Sequence, residues 1–338
     1  MRLFRNDYSE LAHPRIIEAL RRYQDEQNDP YGLDYHSKNA EKKILEIFHS
    51  QKGKVFFIAG GTQTNVLFIS SCLKHYEGVI ACDSGHINVH ETAALEGQGY
   101  KIITVKGKDG KLYPQDIERV IRYYDNEHMV KPRMVYISNS TEIGTIYSRQ
   151  ELIDLYEICK QNNLIFFIDG ARLGSALTSK TNDVEPALMG EVCDAFYVGG
   201  TKNGLMLGEA LVINNPILQE NYRYHIKNKG AMLAKGYLVG IEFEEAFKDN
   251  LYFDIAKTTN EMADYLKDGF KKLGLETLES PTNQVFLITT KDKAHKLMDR
   301  YGCEKWEDLN EKMIIRFVTS FLTKKEDIDE LLSYISSL

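Results

Sequence analysis

Two residues of opposite chemistry stand at the ends of apolar runs. Leu164-Ile165-Phe166-Phe167-Ile168 is β-branched and aromatic, as in a strand buried on both faces, and it ends at Asp169. A second run, Ala195-Phe196-Tyr197-Val198, leads through Gly199-Gly200-Thr201 to Lys202. A carboxylate and an amine thus emerge where open α/β sheets bind ligands, at the carboxyl ends of strands. Singly, each has an ordinary reading: a helix cap for Asp169 and a solvated loop lysine for Lys202. Jointly, they meet the needs of a pyridoxal phosphate (PLP) enzyme. The amine forms a Schiff base with the cofactor, and the carboxylate keeps the pyridine nitrogen protonated so that the ring accepts electrons.

Other segments add chemistry. Val55-Phe56-Phe57-Ile58 runs into Ala59-Gly60-Gly61-Thr62-Gln63-Thr64-Asn65 and then a helix marked by Val66, Leu67 and Ile69. Unpaired amides at such a helix start, together with the helix dipole, favour a phosphate, although a plain glycine turn has the same pattern. Neither a Walker sequence nor Gly-x-Gly-x-x-Gly is present there, which counts against nucleotides. His86 and His90 have the spacing of a metal pair, but Glu91 follows them instead of lying between, and no third ligand is identifiable. Metal is therefore discounted. The flat ring of His86, just after a strand, suits stacking on a cofactor or the role of an ordinary satisfied histidine. Arg316, in Ile315-Arg316-Phe317-Val318-Thr319, offers a fork that matches a planar α-carboxylate, unless it is a surface arginine at a strand end.

These groups need a scaffold, and the hydrophobic pattern provides one. Strands at Val55–Ile58, Val79–Cys82, Ile102–Val105, Met134–Ser138, Leu164–Ile168 and Ala195–Val198 alternate with helices. One helix runs from Pro114 to about Tyr124, and another follows the Ser148/Glu151 capping box to Gln161. The alternation predicts a mostly parallel sheet with helices on both faces. After Leu211–Ile213 the pattern changes to helices over Gln219–Phe247 and Thr258–Leu273, strands at Asn283–Ile288 and Met313–Val318, and a terminal helix from Lys324. The fold class expected is α/β, with an arm and helix over 1–25, a large domain over 26–240 and a smaller α+β domain over 241–338.

Composition excludes several classes of function. Apolar residues make up 43% and charged residues 27%, and a net charge of −7 gives no electrostatic case for nucleic acid or an anionic membrane. Five dispersed cysteines without a Cys-x-x-Cys pair indicate neither a disulfide framework nor a thiolate zinc site. The start, Met1-Arg2-Leu3-Phe4-Arg5-Asn6-Asp7, lacks a signal peptide's apolar core, and no run reaches transmembrane length. A cytoplasmic location is expected.

With these residues in view, the chain resembles the threonine aldolase family, relatives of the β-eliminating lyases within the fold type I (aspartate aminotransferase) PLP superfamily. The most specific segments are Asp169-Gly170-Ala171-Arg172, Gly200-Thr201-Lys202-Asn203-Gly204, Gly208-Glu209-Ala210 and Thr141-Glu142-Ile143-Gly144-Thr145-Ile146-Tyr147-Ser148. The resemblance implies that Lys202 holds the cofactor, Asp169 pairs with its ring nitrogen, Gly61 and Thr62 bind its phosphate and His86 stacks on it. It places Arg172 near the phenolic oxygen and the substrate carboxylate, Arg316 on that carboxylate and His128 at the substrate's β-hydroxyl. Tyr31 resembles a tyrosine that enters a neighbouring subunit's site, which implies a homodimer or homotetramer. Asn6 stands where many relatives carry a carboxylate-binding serine, and its amide can donate there. In Lys229-Gly230-Ala231-Met232-Leu233-Ala234-Lys235, Leu233 replaces an arginine that reaches a phosphate across the dimer, leaving Lys229 or Lys235 as substitutes. His90 sits where some relatives place an aromatic residue.

The implied activity is that of a carbon–carbon lyase. It cleaves a β-hydroxy-α-amino acid, most simply L-threonine or L-allo-threonine, to glycine and acetaldehyde. The same apparatus supports β-elimination from an aromatic or other β-substituted amino acid, which instead releases pyruvate and ammonia. A nicotinamide oxidoreductase would show a glycine fingerprint after an early strand, and a non-catalytic relative would be expected to lose Lys202 or Asp169.

Overall fold

Seven apolar runs assemble into one sheet in the computed structural model, which describes residues 3–338; Met1 and Arg2, at the start of the expected arm, lie outside the described residues. The strands are β1 (Lys54–Ile58), β2 (Glu77–Cys82), β3 (Lys101–Val105), β4 (Lys131–Ser138), β5 (Ile165–Asp169), β6 (Ala195–Gly199) and β7 (Glu209–Ile213). Their order is β1-β7-β6-β5-β4-β2-β3. Only β7 runs against its neighbours β1 and β6; the remaining pairs are parallel.

Successive side chains of a strand point to opposite faces, and both faces here are covered. Phe166, Ile168 and Phe196 enter one core with Ile80, Ile103 and Val135. Phe167 and Tyr197 enter the other with Phe68, Val79 and Tyr136. Each such burial stabilises the fold by roughly 1.5–3 kcal/mol before entropy is counted. Because β1, β2, β4, β5 and β6 share a direction, their carboxyl ends line one edge. Gly60-Gly61, His86, Asn139–Glu142, Asp169–Arg172 and Gly199–Lys202 all follow from that edge.

A second, antiparallel sheet contains β8 (Glu276–Leu278), β9 (Gln284–Thr290), β10 (Glu304–Leu309) and β11 (Lys312–Val318), in the order β10-β11-β9-β8. Its core joins Val285, Leu287, Ile315 and Phe317 to Leu266, Phe270, Leu297 and Leu331. The two cores part within the helix Leu251–Lys272, later than residue 240. Leu251, Tyr252 and Ile255 belong to the large core, and Ala263, Leu266 and Phe270 to the small one. That helix begins at Leu251 rather than Thr258. The amino-terminal arm lies on the small core. Phe4 is buried in it, donates its amide to Tyr301 O at 2.8 Å and accepts from Val318 N at 2.9 Å. Among the described residues no helix is long and apolar enough to cross a membrane.

Candidate active site

The ends of β5 and β6 touch through glycine. Gly199 N donates to Gly170 O at 3.0 Å. A Cβ on Gly170 would fall 1.8 Å from Tyr197 O, and one on Gly199 would fall 2.2 Å from Ala171 O, so any larger residue would push the strands apart. This contact joins the turn after Asp169 to the turn that leads to Lys202. Gly200 N reaches Gly208 O at 3.1 Å and Glu209 Oε2 at 2.9 Å, while Gly208 N donates to Thr201 Oγ1 at 3.0 Å. Glu209 is buried, and burial pushes its carboxyl up to about 7 against the opposing pull of the Gly200 amide, Thr201 and Lys202.

Asp169 is buried among four donors. Oδ2 accepts from Tyr136 Oη at 2.5 Å and Asn65 Nδ2 at 3.0 Å, and Oδ1 accepts from Tyr197 Oη at 2.5 Å and Ala171 N at 3.0 Å. Burial raises its pKa, but the charge of His86 and the bonds from Tyr136, Tyr197 and Asn65 outweigh this and hold it below the ordinary carboxylate value. The carboxylate is thus ionised at neutral pH. Asn65 Nδ2 also donates to Glu91 Oε1 at 2.8 Å, and the same oxygen pairs with His86 Nδ1 at 2.7 Å. Burial pushes the imidazole of His86 down, yet Glu91, Glu142 and Asp169 together leave it above its usual value.

Lys202 lies within electrostatic reach of Asp169. Burial and the neighbouring Arg172 lower its pKa, against Asp7, Glu142 and Asp169. Its Nζ lies 5.9 Å from the Tyr8 ring centroid and has no hydrogen-bond partner among the described residues. Such an amine is suited to attack a carbonyl. At the β1 end, Gly60 precedes the helix Gly61–Cys72 with no side-chain cap, so the first-turn amides, including those of Gly61 and Thr62, are available to an anion. A Cβ on Gly61 would lie 3.1 Å from Tyr197 Oη, which ties this anion site to the Asp169 cluster.

Two arginines stand near these groups, each paired with a carboxylate. Arg172 Nε and Nη2 grip Asp7 at 2.8 and 3.0 Å, both side chains being buried, and Asn283 Nδ2 adds a bond to Asp7 at 2.9 Å. Burial pushes the Asp7 carboxyl up, but Arg172, Lys202 and Asn283 hold it lower than usual. Asp7, rather than the expected Asn6, is therefore the arm residue that enters the site. Asn6 Oδ1 closes a local turn by accepting from Tyr8 N and Ser9 Oγ at 3.1 and 2.8 Å. Arg316 on β11 donates to Gln284 Oε1 at 3.0 Å and to Glu304, stacks 5.2 Å over Trp306, and has a buried Nε with no partner. Its charge, with those of Glu142, His86 and Lys202, reaches His90.

The structure does not bring His128 to this cavity, which corrects the expectation. His128 is exposed in the turn before β4, with its amide bonded to Asn126 Oδ1 at 2.9 Å. From that turn β4 runs eight residues, Lys131–Ser138, to its carboxyl end, about 23 Å at ~3.3 Å per residue. The β4-linked residue whose charge reaches His86, Arg172 and Lys202 is Glu142, buried at 7% exposure and lining a small cleft with Gly85, Tyr136 and Ser138. Its position just beyond a strand's carboxyl end was the signal that could have found it. Tyr31, Lys229 and Lys235 also stand away from the Asp169–Lys202 cavity of this chain. The Tyr31 amide donates to Ala234 O at 3.0 Å and its ring lies under Lys227, Lys229 bonds to Gln98, and Lys235 is exposed. Among the described residues no group of three or more His, Cys, Asp or Glu is placed to hold a metal ion.

An amine and an ionised carboxylate at one edge of a parallel sheet, beside an anion-binding helix start, define a class of α/β enzyme that works through a bound organic cofactor. Residues 14–292 match the beta-eliminating lyase family, and the chain belongs to it. A solved structure of Leishmania major threonine aldolase is 41% identical, superposes with a TM-score of 0.97, and covers 100% of this chain and 99% of its own. The low specificity L-threonine aldolase of Pseudomonas aeruginosa is 28% identical over 305 residues, 89% of this chain and 87% of that protein. A Thermus thermophilus aspartate aminotransferase, 13% identical with a TM-score of 0.74 over 100% of this chain and 91% of that one, shares the fold.

Proposed function

We propose that this lyase binds pyridoxal 5'-phosphate and cleaves β-hydroxy-α-amino acids by a retro-aldol reaction, in the simplest case L-threonine or L-allo-threonine to glycine and acetaldehyde. The observation that supports this most directly is the unpartnered Lys202 amine within electrostatic reach of ionised Asp169, in a chain 41% identical along its length to a threonine aldolase. The donor set fits the cofactor: an amine for its aldehyde, a carboxylate for its ring nitrogen, the Gly61–Thr62 helix start for its phosphate and the His86 ring for its face. A protonated ring nitrogen would share Asp169 with Tyr136, Tyr197, Asn65 and the Ala171 amide. Bound there, the cofactor supplies a sink for the electrons of the bond broken at Cα.

The protein's own residues divide the remaining work. Burial and Arg172 lower the proton affinity of Lys202, which favours the unprotonated amine that attacks a carbonyl. Arg316 receives the substrate carboxylate through its guanidinium fork, exchanging Glu304 for it. Arg172, held by Asp7, presents positive charge without freedom to swing. Tyr31, Lys229 and Lys235 lie outside this chain's cavity, in keeping with use by a neighbouring copy in a homodimer or homotetramer. The test is to supply the PLP-loaded protein with a panel of β-hydroxy amino acids and identify the products. Glycine with the matching aldehyde is expected; pyruvate and ammonia would replace this reading with β-elimination.

A further inference from the structure

We propose that Glu142 is the base that takes the substrate's β-hydroxyl proton as the carbon–carbon bond breaks, an inference that rests on the retro-aldol reading above. The acids of the cavity differ in what already occupies them. Asp169 accepts four bonds, Asp7 is gripped by Arg172 and Asn283, Glu91 by Asn65 and His86, and Glu209 by the Gly200 amide. Glu142 is buried at 7% exposure, yet no hydrogen bond to its carboxylate is made among the described residues, and its oxygens are not among the sealed, unpaired atoms of the interior. A buried acid with unsealed, uncommitted oxygens is available to a ligand.

Its charge is felt by groups assigned above to cofactor and substrate. The charge of Glu142 acts on His86, His90, Arg172 and Lys202 together. The loop that bears it is fixed: Gly144 N donates to Thr141 O and Thr141 N to Thr145 O, both at 2.9 Å. Gln284 then spans two functions, donating Nε2 to Thr141 O at 3.3 Å and accepting from Arg316 Nη1 at 3.0 Å. One side chain thereby sets the spacing between the carboxylate clamp and the Glu142 loop. The histidines are weaker candidates. His128 is remote, and His86 is committed to Glu91 and biased towards imidazolium, which has no lone pair to offer. His90, biased towards neutral, is the one rival and lies exposed.

The step balances without oxidant or reductant. The O–H proton passes to Glu142, the O–H electron pair becomes the second bond of the aldehyde C=O, and the Cα–Cβ pair stays with Cα. One proton then returned to Cα completes glycine.

The test compares two reactions of the PLP-loaded protein. Cleavage needs a base at the β-hydroxyl, whereas exchange of the glycine α-hydrogen with deuterium oxide does not. In Glu142→Gln, kcat for threonine cleavage should fall about 100- to 10,000-fold. Glycine exchange should stay within about threefold, and Glu142→Asp should restore part of the cleavage. In the cofactor-free protein, the same Gln variant should lower the His86 pKa followed by NMR, because it removes a charge that raises it. Cleavage at the wild-type rate in Glu142→Gln, a parallel loss of exchange in both variants, or a selective loss of cleavage in His90→Gln alone would overturn the proposal. Pyruvate and ammonia from the wild type would instead overturn the retro-aldol reading and this inference with it.

Discussion

Asp169 and Arg316 are charged side chains in the same cleft, and their surroundings differ in kind. Asp169 has a donor for every acceptor direction, drawn from β4, β6, the Gly61–Cys72 helix and its own turn, so its position and charge are set before any ligand arrives. Arg316 rests on Gln284 of its own sheet and on Glu304 of an edge strand, and its Nε is left without a partner. Arg172 lies between these extremes, with its fork closed on a buried aspartate from the arm. The contrast separates two tasks. Groups for a resident cofactor are preorganised on the large sheet, while groups for a passing substrate hold exchangeable partners supplied by the small sheet and the arm.

The sharpest way to break that division is Lys202→Ala. If the large-sheet edge is where the chemistry resides, cleavage falls on the order of 10,000-fold or more while the fold persists, because the turn is held by Gly200, Thr201, Gly208 and Glu209 rather than by the amine. Turnover with circular dichroism of the same sample checks both halves, and near-normal turnover would move the chemistry elsewhere. Next in size is Asp7→Asn. Removing one partner of a buried ion pair leaves Arg172 uncompensated, for about 3–5 kcal/mol of lost stability by denaturant unfolding. A loss below about 1 kcal/mol would show the arm to be dispensable to the fold.

A smaller effect tests the substrate side. Glu304 is 40% exposed, so its pairing with Arg316 is worth at most about 1 kcal/mol. Glu304→Gln should lower KM for threonine by up to about fivefold with kcat little changed, since the substrate no longer displaces a competing carboxylate. A rise in KM would mean that Glu304 steadies the arginine instead.

The same division explains what was legible in the sequence. Asp169 and Lys202 each follow a continuous apolar run, and local pattern is what a sequence states most directly. The Asp7–Arg172 pair joins residues 165 apart, which no local pattern encodes. β10 reads Glu304-Lys305-Trp306-Glu307-Asp308-Leu309, a polar edge strand without apolar alternation, so neither the strand nor its contact with Arg316 could be foreseen. The helix Lys291–Tyr301 hides its stripe, Ala294, Leu297 and Tyr301, among charges. The resemblance places His128 at the β-hydroxyl, yet that histidine lies at the wrong end of β4, whereas position along the strand points to Glu142.

The subtlest prediction concerns two histidines of one loop. The rings of His86 and His90 are 5.5 Å apart, and both feel Glu142 and Lys202, yet they shift in opposite directions. Burial pushes both down; His86 alone is bonded to Glu91, and that bond reverses its sign. A histidine whose folded pKa is raised contributes stability that is full below 6.5, its unfolded value, and is lost as pH rises through the higher folded value. Asp169 acts at the other limit, because its lowered pKa gives stability present above 3.8 and lost as pH falls through the depressed value. The wild type should therefore lose thermal stability on the alkaline side of 6.5 relative to His86→Gln, whose side chain does not titrate. In NMR titrations Glu91→Gln should lower the His86 pKa towards that of His90, since a neutral amide cannot favour imidazolium as a carboxylate does. An unchanged His86 titration in that variant would transfer the effect to Glu142 and Asp169, and would leave the buried Glu91 needed only to anchor Asn65 beneath the catalytic aspartate.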